Sequence, residues 1–236
     1  MTTALITGAN KGLGFETARR LIEAGHTVYV GARDAHAGRA AAGRLGSRAR
    51  FVRLDVTDED SVKAAAEFVR TDAGGHLDVL VNNAGIAGAG KLGRVGDVTG
   101  TDMRNTYDTN VFGAVRVTHA FLPLLEAAGA PVVVNVSSGL GSLAATNDPD
   151  RLESRVTMLD YNSSKTALVM VTSQYAKAYP ALRFNAVDPG YTATALNGHR
   201  GTQSVEEGAE VIVRMALIGS DGPTGGFFDK DGPAAW

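Results

Sequence analysis

Tyr161 and Lys165 are the residues of this chain whose types and spacing most directly allow chemistry. Four positions apart on a helix, their side chains share one face about a turn from each other. A free phenol keeps its proton up to a pH of about 10, too high for easy exchange at neutrality, and an ammonium group beside it favours the phenolate and lowers that value. The pair would then act as a proton-transfer centre. This spacing is also common on any amphipathic helix, so its meaning depends on what the rest of the chain brings to it.

The run TGANKGLGFETARRL, beginning at Thr7, places Gly8, Gly12 and Gly14 between an apolar stretch and a helical one. Glycines let the backbone turn sharply and approach a pyrophosphate closely, while free amides and the positive end of a helix stabilise its charge. The spacing differs from the G-x-G-x-x-G fingerprint, but the job is similar. Further on, VYVGARD makes Arg33 the first charged residue after a second apolar run, where many dinucleotide-binding domains carry an acid for the ribose hydroxyls. A cation there suits a 2′-phosphate, and Lys11 inside the glycine loop can lie near the same group. The expected cofactor is therefore NADP(H). The competing reading leaves Arg33 and Lys11 as solvated surface residues and gives the ribose to Asp34.

Elements able to position these groups recur along the chain. Strand-like apolar runs cover residues 4–7, 27–30, 50–54, 79–81, 132–136 and 184–187, several of them continuous, as strands buried on both faces are. Between them, helical periodicity covers 12–24, 35–45, 58–71, 101–127, 161–178 and 204–217. Thr57 or Asp58 caps one helix, and a capping box from Ser204 to Glu207 opens another. Alternating strands and helices predict an α/β fold: one Rossmann-type domain over residues 1–236, a doubly wound parallel sheet with helices on both faces. Glycine-rich segments at 85–100 and 139–149 follow the fourth and fifth strands, so they fall at the carboxyl edge of the sheet, where ligands of such sheets bind.

Composition narrows the function. With 44% hydrophobic and 20% charged residues in 236, the chain reads as an ordinary globular protein. A formal charge of -2 without runs of Lys or Arg argues against nucleic acid or a membrane surface as partner. A count of 0 Cys removes disulfides and thiolate chemistry, so any redox function must use a cofactor, and it fits a reducing compartment. The His residues are scattered singly, and no metal site is expected. Neither a leader pattern nor a membrane span is read, and the expected location is cytoplasmic.

With these features in place, the chain resembles the short-chain dehydrogenase/reductase family nearly from end to end, and within it carbonyl reductase-like members. Five signatures appear in order: TGANKGLG from Thr7 to Gly14, LDV from Leu54 to Val56, NNAG from Asn82 to Gly85, VSS followed by YNSSK from Tyr161 to Lys165, and PGYTAT from Pro189 to Thr194. The resemblance implies a cofactor-binding set of Gly8, Asn10, Lys11, Gly12, Leu13, Gly14, Arg33, Asp55, Val56, Asn82, Ala84, Gly85, Pro189, Gly190, Thr192 and Thr194, joined by Tyr161 and Lys165. It implies that Asp55 and Val56 line the adenine pocket, that Asn82 and Gly85 flank the cofactor, that Pro189 and Gly190 pass beside the nicotinamide, and that Thr194 bonds near its carboxamide or the pyrophosphate. It gives Lys165 a second task on the nicotinamide ribose. It also implies a catalytic set of Asn110, Ser138, Tyr161 and Lys165: Ser138, rather than Ser137, holds the carbonyl oxygen, Tyr161 gives the proton, and the Asn110 backbone carbonyl holds a water linking Lys165 to solvent.

The implied activity is reduction of a ketone or aldehyde to an alcohol by hydride transfer, with Tyr161 as general acid. The stretch from Gly139 to Asp160 is longer than is usual in the family by roughly ten residues, a length that suits a binding loop. This favours a monomer, with a dimer as the alternative. Leu140, Leu143, Met158 and Leu159 are candidates for an apolar wall toward substrate, the segment from Tyr191 to Gln203 for a short lid, and the C-terminal residues for an edge strand and tail. The competing functions are an NAD-dependent alcohol dehydrogenase and a dinucleotide-sensing regulator without turnover.

Overall fold

The structure is a computed structural model that describes residues 2–236. Its centre is an eight-stranded sheet in the order β3-β2-β1-β4-β5-β6-β7-β8, comprising β1 (Thr3–Thr7), β2 (Thr27–Ala32), β3 (Ala49–Arg53), β4 (Val79–Asn82), β5 (Val132–Val136), β6 (Arg183–Val187), β7 (Phe227–Asp229) and β8 (Gly232–Pro233). The strands run parallel through β7, and β8 pairs antiparallel with it. Helices α1 (Gly12–Glu23), α2 (Ala35–Leu45), α3 (Glu59–Asp72), α4 (Gly100–Tyr107), α5 (Gly113–Glu126), α6 (Leu143–Asn147), α7 (Leu159–Ala178) and α8 (Val205–Ala216) connect them.

Strand alternation sends successive side chains to opposite faces. Ala4, Ile6, Val28, Val30, Val79, Val81, Val132 and Val134 pack on one face, with Leu21 of α1 and Ile212 of α8. Leu5, Tyr29, Leu80, Val133 and Phe184 pack on the other, with Val62 of α3 and Phe121 of α5. Both faces of the central strands are therefore sealed by apolar contacts. The chain winds outward from β1 through β2 to β3, then returns to β4 on the other side of β1, which puts the topological switch point between β1 and β4. The loops leaving their carboxyl ends are where a ligand crevice opens.

Several boundaries differ from expectation for identifiable reasons. The predicted helix over 101–127 is three pieces, α4 and α5 joined by a π-helical turn, Asp108–Phe112. Asp58, not Thr57, caps α3, accepting from the Asp60 and Ser61 amides at 3.0 and 3.2 Å. Helix α7 starts at Leu159, two residues early. The predicted terminal strand is the two short strands β7 and β8, the second folding back along the sheet edge. The capping box at Ser204 is present, with Ser204 N donating to Glu207 at 2.7 Å and Glu207 N donating to Ser204 at 3.1 Å. Among the described residues, no helix is long and apolar enough to cross a membrane, and no group of three or more His, Asp or Glu side chains is arranged to hold a metal ion.

Candidate active site

The loop from β1 into α1 is tied to the loop that leaves β4. Thr7 Oγ1 accepts from the amides of Asn83 and Ala84 at 3.0 and 2.9 Å, and Asn83 Nδ2 donates to Thr7 O at 2.8 Å and Gly8 O at 3.3 Å. A methyl group at Gly14 would stand 2.5 Å from Asn83 Nδ2 and 2.8 Å from Gly8 O, so only glycine allows this approach. Helix α1 has no acidic residue in its first turn, and its N-cap Lys11 makes no side-chain cap. The free amides of that turn present a positive end suited to an anion. Thr194, from the loop after β6, reaches the same place, since a methyl group at Gly12 would lie 3.8 Å from its Cγ2.

Arg33 is exposed just beyond β2, next to Asp34. The Asp34 carboxylate caps α2, accepting from the His36 and Ala37 amides at 2.8 and 3.0 Å. Asp55, beyond β3, accepts from Thr57 N and Thr57 Oγ1 at 3.0 and 2.7 Å. Burial works to raise its carboxyl, but the Thr57 hydrogen bonds and the charges of Arg33 and Arg116 outweigh it and hold the group below the usual carboxylate range. Val56 is buried, and its carbonyl accepts from Arg116.

The two asparagines after β4 divide their tasks. Asn82 is buried within the sheet, donating to Thr118 Oγ1 at 3.0 Å and Asn135 Oδ1 at 2.8 Å, so its side chain braces β4, β5 and α5. Asn83, absent from the predicted set, is the one that supports the glycine loop. Asn110 lies in the π-helical turn, where its Oδ1 accepts from Ile86 N at 2.9 Å and its Nδ2 donates to Ile86 O and Ser164 Oγ, each at 3.0 Å. A one-residue π insertion rotates the following helix, and such turns recur at functional sites. Here it places Asn110 between the loop after β4 and the middle of the YNSSK run, with Gly85 alongside.

Ser138 stands two residues beyond β5; its Oγ accepts from Leu140 N at 3.2 Å, and its hydroxyl lies near enough to the Tyr161 phenol to act on it. Ser137 points elsewhere: it is buried and donates to Lys165 O at 2.9 Å, fastening β5 to α7. Lys165 is 5% exposed, its Nζ donates to Val136 O at 2.9 Å, and it lies 5.7 Å from the centre of the Tyr161 ring. Burial pushes the Lys165 ammonium down to about 8. The phenol of Tyr161 is pushed up to about 12, chiefly by burial and also by the Asp188 charge, against the opposing influence of the Ser138 hydroxyl. The expected lowering of the phenol by Lys165 is not seen in this arrangement: Lys165 is not among the influences on the group, and burial raises it. Asp188 was not singled out from the sequence. It follows β6 immediately, accepts from Gly190 N at 2.9 Å, and has its carboxyl raised by burial.

In the loop after β6, Gly190 has a φ of 71°, and Thr192 is buried, donating to Pro189 O at 2.9 Å while accepting from Gln203 Nε2 at 3.0 Å. The Thr192 side chain therefore shapes the loop, and Thr194 is the member that meets the glycine loop. Within the long segment after Ser138, Leu143 is 60% exposed and Leu159 39%, while Leu140 and Met158 are half-buried, so the first two offer the larger apolar surface. Asn10 sits in the loop after β1, Leu13 in the first turn of α1 and Ala84 in the loop after β4.

Comparison with known proteins gives consistent matches. A family model described as short chain dehydrogenase matches residues 2–204. The chain is 34% identical to (-)-isopiperitenone reductase of Mentha piperita, over 97% of this chain and 96% of that protein. It is 35% identical to (+)-neomenthol dehydrogenase of Arabidopsis thaliana, over 96% and 95% of the two chains. The structure of an NADPH-bound carbonyl reductase from chicken fatty liver matches with a TM-score of 0.88 and 28% identity, covering 100% of this chain and 99% of that one.

Proposed function

From the premise that this chain belongs to the short-chain dehydrogenase family, we propose that it is an NADPH-dependent carbonyl reductase that converts a ketone or aldehyde to an alcohol, with Tyr161 as general acid. The observation that carries this reading is the meeting of Ser138 and Tyr161 at the carboxyl edge of the sheet, with buried Lys165 beneath the same ring. The similar carbonyl reductase of chicken is a structure with NADPH bound, which favours the same cofactor here.

The residues fit such a cofactor. The close approach of Gly14 to Gly8 and the uncapped first turn of α1 make a cradle for a pyrophosphate. Arg33 and Lys11 are the cations for a 2′-phosphate, and the commitment of Asp34 to its cap removes the competing acid from that task. The ionised Asp55 accepts from the adenine amino group, with Val56 beside it. Lys165 holds the nicotinamide ribose, and Pro189, Gly190 and Thr194 flank the nicotinamide end. When bound, NADPH supplies the hydride that reduces the carbonyl carbon.

The chain's own part is control of the oxygen. Ser138 hydrogen-bonds the carbonyl oxygen and stabilises the negative charge that grows there. Tyr161 gives that oxygen its proton, completing the alcohol. A phenol raised to about 12 keeps this proton at neutral pH until a developing alkoxide, a stronger base, takes it. Lys165 and Asn110 then serve the return of a proton to Tyr161. The test is consumption of NADPH and NADH across aromatic, cyclic and bulky aliphatic ketones. NADPH-selective turnover supports the reading; binding of both cofactors with no turnover of any carbonyl overturns it.

A further inference from the structure

Asp160, the residue before Tyr161, is 2% exposed and carries its carboxylate in the interior without a salt bridge among the described residues. Its partners are donors from three elements. Oδ2 accepts from Ala89 N at 2.7 Å, in the loop after β4, and from Thr106 Oγ1 at 2.9 Å, on α4. Oδ1 accepts from Tyr161 N at 3.0 Å, in the first turn of α7, whose N-cap Met158 has no side chain able to do so. The loop passes so close that a Cβ on Gly88 would overlap the carboxylate, and Gly88 takes a φ of 77° to make the approach.

A second buried contact lies one helical turn further along both helices. Thr106 and Asn110 are four residues apart, as are Asp160 and Ser164, and Asn110 Nδ2 donates to Ser164 Oγ at 3.0 Å. Ser164 Oγ in turn donates to Tyr161 O at 2.7 Å. Two polar rungs therefore join the α4 side to α7, and Tyr161 sits between their α7 ends. Each rung also grips the loop after β4, Asn110 at Ile86 and Asp160 at Ala89. Removing a partner from such a buried carboxylate leaves unsatisfied groups, so the arrangement resists slippage.

We infer that Asp160 is a positioning residue for Tyr161, whose carboxylate clamps the loop after β4 and helix α4 onto the start of α7 and so fixes where the phenol stands. This rests on the reading of Tyr161 as the acid. Asn at 160 cannot accept at both ends of its side chain, so Asp160→Asn opposes one donor with another. Thr106→Val removes one donor and leaves the carboxylate.

Wild type and Tyr161→Phe are assayed alongside with NADPH and a ketone that the wild type reduces. Activity of the first and loss in the second establish the reading, and wild-type inactivity on every carbonyl is its failure alone. The expected result for Asp160→Asn is a kcat about tenfold to a hundredfold lower per folded molecule, since misplacement by about 1 Å costs on the order of a hundredfold. NADPH affinity stays within about twofold, because the glycine loop is held separately through Asn83. Thr106→Val loses less, and the double variant is no worse than Asp160→Asn alone. Unchanged kcat in either variant, or losses that simply multiply, overturns the inference. Should Asp160→Asn fail to fold, Thr106→Val decides by the same criterion. Hydrogen exchange over residues 86–91 reads the clamp without turnover: faster exchange in the variants supports it, and unchanged exchange overturns it.

Discussion

Ser138 stands beside the phenol of Tyr161, bringing the chain that has just left β5 against the first turn of α7. Its neighbour Ser137 is turned away and bonds the Lys165 carbonyl at 2.9 Å. The two serines therefore separate function from support. Ser138→Ala should lower kcat by about a hundredfold to a thousandfold, the usual loss for one donor at a developing oxyanion. Ser137→Ala should cost about 1 kcal/mol of stability with most of the turnover kept. Steady-state kinetics and urea unfolding on both variants check the division, and the reverse pattern would exchange their roles.

Tyr161→Phe removes the transferable proton and little volume. Turnover should fall by about a hundredfold to ten-thousandfold, the range ascribed to a positioned acid. NADPH binding, measured by nucleotide fluorescence, should remain close to wild type. Near-normal turnover would place the acid elsewhere, and Asp188, whose charge acts on Tyr161 and whose carboxyl is raised by burial, would be the next group to replace.

What was legible in the sequence follows from the range of the interactions involved. Strands such as Val132–Val136 are buried on both faces and announce themselves as unbroken apolar runs. The spacing of Tyr161 and Lys165, and the caps at Asp58 and Ser204, are local and readable. The π-helical turn is not, because inserting one residue into a helix leaves the local propensities unchanged. Which of Asn82 and Asn83 supports the glycine loop depends on where β4 ends, a matter of one residue. Asp160 looks like the end of a loop until Ala89 and Thr106, 71 and 54 residues away, are folded against it. Lys165 stabilises or fails to stabilise a phenolate according to burial, which spacing alone does not reveal.

Arg33→Asp tests the cofactor reading. Charge-assisted hydrogen bonds are worth roughly 1.5–3 kcal/mol, so losing one and adding a repulsion should raise KM for NADPH by about tenfold to a hundredfold. KM for NADH should change little or improve, which reverses the preference. The neighbouring Asp55 would also lose a stabilising charge. An unchanged ratio of kcat/KM for the two cofactors would move the 2′-phosphate away from Arg33.

Lys165 and Tyr161 together predict how stability responds to alkali. The Lys165 ammonium, ordinarily at 10.5, is pushed down to about 8 by burial, so between those values the unfolded chain binds the proton that the native chain has released. Stability rises with pH wherever the unfolded state binds more protons, so this group adds stability as pH climbs from about 8 toward 10.5. Tyr161 has the opposite sign: its phenol is raised from 10.0 to about 12, so the native chain keeps the proton longer and its contribution is lost as pH rises from 10 toward 12. Tm without nucleotide, followed from pH 7.5 upward, should therefore carry a rising component from about pH 8 to 10 that Lys165→Met abolishes. Turnover should run the other way, because reduction draws on the Lys165 charge and that charge is lost in the same window. Parallel Tm and kcat profiles of wild type and Lys165→Met give the check, and a Tm profile of identical shape in both proteins would mean that Lys165 is not the group titrating.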